Sequence, residues 1–130
     1  MRRRSPVPIA VALALVALGI ASTAAAHHSI ARFDRCHLFT VAGEVTRLTW
    51  HNPHVEFTIR TSEGMTYDVV WLNLQQLKRD GVEPGVLKNG DRIEITGAKQ
   101  PEDKLRMITL LTGLWRPSDG WRWSRPPQGC

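Results

Sequence analysis

The sequence is poor in the patterns that carry catalysis. No Ser/His/Asp elbow occurs, and Asp34, Glu44, Glu56 and Asp68 are scattered rather than paired as acid and base. No glycine-rich phosphate loop occurs; Gly81, Gly85 and Gly90 sit at turn positions. Only two cysteines are present, and no strict apolar run reaches the ~20 residues that a spanning helix needs. Histidine is absent from the last 76 residues. A basic excess is also missing once the N-terminus is set aside. Without Arg2, Arg3 and Arg4 the 17 basic residues fall to 14 against 12 acidic ones, a balance of +2. Nucleic-acid binders concentrate far more positive charge, so no nucleic-acid partner is expected. No internal repeat or low-complexity run appears in the rest of the 130-residue chain.

What is present begins with an address. Met1 is followed by three basic residues, Arg2 to Arg4, and residues 9–21 carry no charge and no polar side chain. Ser22, Thr23 and Ala24-Ala25-Ala26 follow. This is the three-part pattern of a secretory signal, with cleavage expected after Ala26 and a periplasmic or secreted destination. The residue directly after that site is His27 and not cysteine, which argues against a lipid anchor. The competing reading is an uncleaved N-terminal helix that keeps the chain at a membrane. Cleavage leaves 104 residues, enough for one modest core. Cys36 and Cys130 remain. In an oxidising compartment they form a disulfide or stay as two thiols, and the sequence leaves both open.

The mature chain reads as a small β-barrel. Residues 38–50 form a strand in which Val41, Gly43 and Val45 share one parity and Leu48 and Trp50 the other, so a bulge is expected near Thr46-Arg47. Val55, Phe57 and Ile59 alternate with polar residues, and Met65, Tyr67, Val69 and Trp71 do the same after a Glu63-Gly64 turn. A helix of about eight residues follows, with Asn73 and Gln76 as a capping box, Leu72 and Leu77 as a staple, and Gly81 just past its end. Asn89-Gly90 turns the chain into a strand at residues 92–97, and residues 101–104 turn it into the last long strand, 105–115. Asp119-Gly120 marks a turn that closes a short hairpin with residues 121–123. The order β-β-β-α-β-β is that of an OB-fold, a small, partly open five-stranded Greek-key barrel; a β-meander with a packed helix is the alternative. The expected organisation is a signal at 1–26, a histidine-bearing arm at 27–37, the barrel at 38–116 and a Trp/Arg/Pro-rich tail at 117–130.

Several of these residues also carry a family resemblance. Ala26-His27-His28-Ser29 with Phe33-Asp34 resembles the start of an uncharacterised family of small exported bacterial proteins, a domain of unknown function. The similarity continues in Gly43-Glu44-Val45, Trp50-His51-Asn52-Pro53-His54, Leu77 with Gly81, and Leu87-Lys88-Asn89-Gly90-Asp91. It covers roughly residues 26 to 112. The double-His start and the Asn-Pro-His are its specific motifs. The resemblance implies export and a β-rich fold, and no activity. Cys36, Cys130 and the Trp-rich end lie outside it.

Two constellations are candidates for function. All five histidines, His27, His28, His37, His51 and His54, fall within 28 residues. Imidazole suits copper, zinc or nickel. Cleavage after Ala26 would add the free amine of His27, whose reference pKa of ~7.7–8.0 lets a metal displace its proton. Amine and ring of His27 with a nitrogen from His51 or His54 make a three-nitrogen copper set, and His28 is a further candidate ligand. Pro53 stiffens the turn between His51 and His54, which serves equally well as a structural corner. His37 is expected as an exposed strand residue, and Cys36 as a disulfide partner or a soft Cu(I) ligand. The second constellation is Trp115, Trp121 and Trp123 interleaved with Arg116, Arg122 and Arg125. Trp115, Trp121, Trp123 and Arg122 are candidate contacts for a partner or ligand; alternatively the tryptophans cover the open end of the barrel. Two functions stay open. One is a copper- or zinc-binding exported protein. The other is a metal-free barrel that holds a periplasmic protein, a glycan or a small organic ligand, with an accessory subunit of a membrane-associated complex as a variant if the leader is retained.

Overall fold

The computed structural model describes residues 33–100 and 106–130, all in the second of the chain's two units, Ala31–Cys130. The expected signal segment, His27, His28 and the turn at 101–104 lie outside the described residues. The elements are β1 (Asp34–Thr49), β2 (Glu56–Arg60), β3 (Thr66–Val70), α1 (Leu74–Arg79), β4 (Arg92–Lys99), β5 (Met107–Arg116) and β6 (Trp121–Ser124).

β1 is long enough to serve two partners. It pairs antiparallel with β2 through residues 44–49 and with β4 through Asp34 and residues 39–44. The parity switch read from Val45 and Leu48 is a bulge: Val45 faces Ile59, Arg47 faces Thr58, and the register slips at Thr46 between them. The extra residue re-aims the strand, so Val45 is fully buried before it and Leu48 packs against the core after it. The sheet runs β3-β2-β1-β4-β5-β6, and a parallel pairing of β3 with β5 (Asp68 with Met107, Val69 with Ile108) closes it into a ring. First strand shared between β2 and β4, helix between β3 and β4, closure of β3 on β5: this is the OB-like, mainly β topology.

The last long strand is apolar on both parities for a reason that lies in its partner. The β4–β5 register slips between Thr96 and Ala98, where Thr96 faces Gly113 and Ala98 faces Thr109. The residues so inserted let Ile108, Leu111 and Leu114 all point inward, at 0%, 5% and 2% exposure. Leu110 takes a φ of 49° within this bulge. Gly97 lies beneath it, and a side-chain carbon there would stand 2.8 Å from the Thr109 carbonyl oxygen and from Leu111 Cδ2.

α1 is six residues long, shorter than the expected eight. Its capping box is complete: Asn73 Oδ1 accepts from the Gln76 N–H at 2.8 Å, and Gln76 Oε1 from the Asn73 N–H at 3.4 Å. At the other end Val82 N–H donates to the Leu77 carbonyl and Gly81 N–H to that of Lys78, with Gly81 at φ 75°. Leu77 is fully buried against the barrel. The core joins Phe57, Ile59, Trp71, Ile93, Ile95 and their neighbours in one cluster.

Residues 117–130, the Trp/Arg/Pro-rich tail, contain a sixth strand where the short hairpin with residues 121–123 was expected. β6 pairs with β5, Leu114 facing Trp123, and Arg125 N–H extends the ladder to the Thr112 carbonyl.

Candidate functional site

The histidine turn is a corner of the barrel. The Asn52–Pro53 peptide is cis. Asn52 Oδ1 accepts from Leu74 N–H at 3.2 Å, which ties the turn to the first residue of α1. Val55 N–H donates to the Leu72 carbonyl, and Trp71 N–H to that of Val55, so the turn leads straight into the core. His51 and His54 are both exposed. His51 Nδ1 lies 2.9 Å from the Asn52 carbonyl oxygen. A carbonyl only accepts, so Nδ1 is the donor, and in the neutral ring this leaves the lone pair on Nε2. The turn is therefore structural through Asn52 while both rings stay at the surface. Among the described residues no three histidine, cysteine or acidic side chains gather as a metal-binding group.

His37 stands at a different corner. Its Nδ1 is 3.0 Å from Asp34 Oδ2, and Asp34 Oδ1 accepts from the N–H groups of Cys36 and His37. These bonds, led by the His37 backbone, hold the Asp34 carboxyl below its usual value. His37 is thus engaged with its own strand rather than with His51 and His54. Cys36 is bonded to Cys130, with Cα atoms 5.0 Å apart across a separation of 94 residues.

The tryptophans divide between two roles. Trp123 is buried at 6% exposure and meets Trp71 edge-on, ring centroids 5.2 Å apart. Its indole N–H donates to Asp80 Oδ2 at 2.9 Å, and Arg125 grips both oxygens of the same carboxylate at 2.8 and 3.0 Å. Trp123 therefore closes the core and pins β6 to the end of α1. Trp121 is half-buried beneath the Arg116 guanidinium, 5.5 Å away. Arg116 itself binds Asp119 through two nitrogens, reaches Asp91 at 2.8 Å and donates to the Val86 carbonyl. Trp115 differs. It is half-buried on the outer face of β5, and Arg122 lies 4.6 Å over its ring. The Trp71 indole N–H is a buried donor with no partner among the described residues.

A feature that sequence reading missed lies beside Trp115. Partners across an antiparallel pair project from the same face of a sheet. Glu44 faces both Arg60 and Arg92, Ala42 faces Glu94, Glu94 faces Trp115, and Trp115 faces Arg122. These residues form two rows across the outer surface of β2, β1, β4, β5 and β6. Glu44, Arg60, Arg92 and Glu94 of these rows line a cleft of about 270 Å³ over Ala42 and Gly43, and Trp115 and Arg122 continue the second row beyond it. No local motif announces it, because each row is assembled from separate strands by register alone.

The comparisons with known proteins can now be set beside this geometry. The chain belongs to a family of unknown function (DUF6152), whose model matches residues 14–107. That span starts earlier and ends slightly sooner than the 26 to 112 of the resemblance. No curated protein matches the sequence. Among solved structures, the chain is similar to a mitochondrial single-stranded DNA binding protein from S. cerevisiae, Rim1. The identity is 14% over 68% of this chain and 82% of that one, with a TM-score of 0.38.

Proposed function

We propose that this chain is an exported, non-catalytic binding protein of OB-like fold that works in the periplasm or outside the cell. The observation that carries this reading is the Cys36–Cys130 bond. Paired structural cysteines belong to oxidising compartments, and the signal-like residues 1–26 lead to one. The non-catalytic part rests on the sequence, which carries no nucleophile elbow and no acid–base motif; four aspartates are moreover engaged in structural bonds. Asp34 is spent on His37, Asp80 on Trp123 and Arg125, and Asp119 on Arg116. Asp68 accepts from the Thr58 hydroxyl at 2.9 Å. The test is native mass spectrometry on protein exported by its own leader, without an N-terminal tag. A periplasmic species beginning at His27, lighter by the two hydrogens of the disulfide, is the expected result. A full-length chain with free thiols in the cytoplasm would sink the reading.

A second reading, copper or zinc binding by His27, His28, His51 and His54, is favoured by one observation. His51 holds its Nδ1 proton on a backbone carbonyl, the arrangement that orients a metal-binding imidazole and leaves Nε2 as the ligand. The same preparation titrated with Cu(II), and separately with Zn(II), tests it. One stoichiometric ion that is lost in His27→Ala is expected. A mature protein that stays metal-free under excess copper removes this reading and leaves the binding module.

A further inference from the structure

We infer that the outer face of β1, β4 and β5 binds a neutral glycan, with Trp115 as its platform. This deepens the binding-module reading and rests on it.

Glu44, Glu94, Arg60 and Arg92 surround the cleft over Ala42 and Gly43. Although Glu44 faces both arginines in register, none of the four side chains forms an ion pair or hydrogen bond with the described residues. Two carboxylates that only accept and two guanidiniums that only donate therefore share one cleft, with their hydrogen-bonding capacity unspent. Their charges cancel. A cleft meant for phosphate, sulfate or uronate would carry an excess of arginine. A ligand with many hydroxyls, each both donor and acceptor, uses both kinds of group at once.

The neighbouring rows complete the surface. Trp115 faces Glu94, and Arg122 over its ring steadies the indole. Gly113 shares the face of Trp115 one pleat further along β5 and adds no side chain beside the half-exposed indole. Thr96 faces both Gly113 and Thr40, the two threonine hydroxyls 2.9 Å apart, and Ser124 faces Gly113 from β6. The three rows lie about 7 Å apart along the strands, so the surface runs for about 14 Å, the reach of a short oligosaccharide. An indole beside hydroxyl and carboxylate groups suits the C–H face of a sugar ring together with its hydroxyl rim.

Peptide is the alternative that the topology disfavours. A peptide bound to a sheet takes its affinity from main-chain bonds to an open strand edge. β1 lies between β2 and β4, β4 between β1 and β5, and β5 between β4 and β6. These three strands have no free edge to offer; only β6 at the rim keeps one, four residues long. Recognition over β1, β4 and β5 falls to side chains.

The experiment uses the disulfide-intact exported chain on an array of neutral hexose and N-acetylhexosamine oligomers, uronate- and sulfate-bearing oligosaccharides, and peptides. Binding to at least one neutral oligomer is expected. Its affinity should fall about tenfold in Trp115→Ala and in Glu94→Gln, the loss of one stacking face or one charged hydrogen bond. Lys78→Ala, an exposed change on α1, should bind as the parent does. Glu94→Gln conserves shape, so an unchanged unfolding midpoint separates lost contact from lost fold. Neutral-glycan binding that survives both variants overturns the placement of the site. Binding of acidic glycans or peptides in its stead overturns the glycan assignment and keeps the binding module. Silence from every class overturns the glycan surface; the broader reading falls with it only if the chain also stays in the cytoplasm with free thiols.

Discussion

Gly97 and Leu110 show how a single residue sets the shape of this barrel. β5 carries its inserted residues directly over Gly97, close enough that a methyl group there would stand 2.8 Å from backbone oxygen and from Leu111. Backbone oxygen cannot rotate away. Leu110 accepts a left-handed φ of 49° to make the bulge, a conformation that costs a non-glycine residue about 1–2 kcal/mol. The burial of Ile108, Leu111 and Leu114 together is what offsets it. Gly97→Ala is therefore expected to destabilise the chain by about 1–3 kcal/mol, as overpacking does, read as a lower urea midpoint with an unchanged slope. An unchanged midpoint would show that β5 shifts freely. The sequence displayed the consequence of this arrangement, an apolar run on both parities, without its cause. Gly97 reads as an ordinary strand end until the register of β4 on β5 is known. The same holds at His51 and His54. Their spacing across Pro53 was legible, and the hydrogen bond that fixes the His51 tautomer was not, because it depends on how the peptide of Asn52 turns.

At the scale of elements, the clearest sequence signals were the local ones. The helix start at Asn73 and Gln76 and its end at Gly81 need only neighbours a few residues apart, and all are present as read. The bulge in β1 was legible for the same reason. What joins elements was not. Asp80, one residue past α1, receives Trp123 and Arg125 from β6, across more than forty residues that no spacing rule connects. That knot gives β6 its place and makes a pH prediction. Asp80 is held below its usual value, chiefly by the hydrogen bonds from Arg125. A carboxyl depressed in the folded state contributes stability that is fully present above its unfolded value of ~3.9 and is lost as pH falls through the folded one. Asp119, held down by Arg116, acts in the same direction. Thermal midpoints should therefore drop on acidification below about pH 4. Asp80→Asn should start lower at pH 7 and lose less on acidification, with Trp123 more exposed to a fluorescence quencher at both. Equal slopes for parent and variant would remove Asp80 from the acid response.

At the scale of the whole molecule, the barrel is closed by a slender seam and its chain end is clipped. β3 and β5 share two residue pairs, whereas β1 and β4 share a long ladder. The Cys36–Cys130 bond works at the start of β1 and at the last residue of the chain, so it holds no part of that seam directly. Its effect must come from the unfolded chain, where it closes a loop across 94 residues of separation. The loop-entropy account gives about 4–5 kcal/mol for such a span, and native disulfides commonly contribute about 2–4. Cys36→Ser with Cys130→Ser is expected to lower the unfolding free energy by about 2–4 kcal/mol while the far-ultraviolet spectrum of the native state stays that of a β-barrel. The ladder of β6 on β5 and the Asp80 knot already place the C-terminal segment as far as Arg125, so the folded state does not need the clip. A double variant that fails to fold under any condition would mean that the bond organises the native barrel rather than its unfolded ensemble. A double variant as stable as the parent would mean that the unfolded chain is already compact enough to hold its ends together. Only the intermediate loss fits a bond that acts on the entropy of the unfolded chain while the native contacts are complete without it.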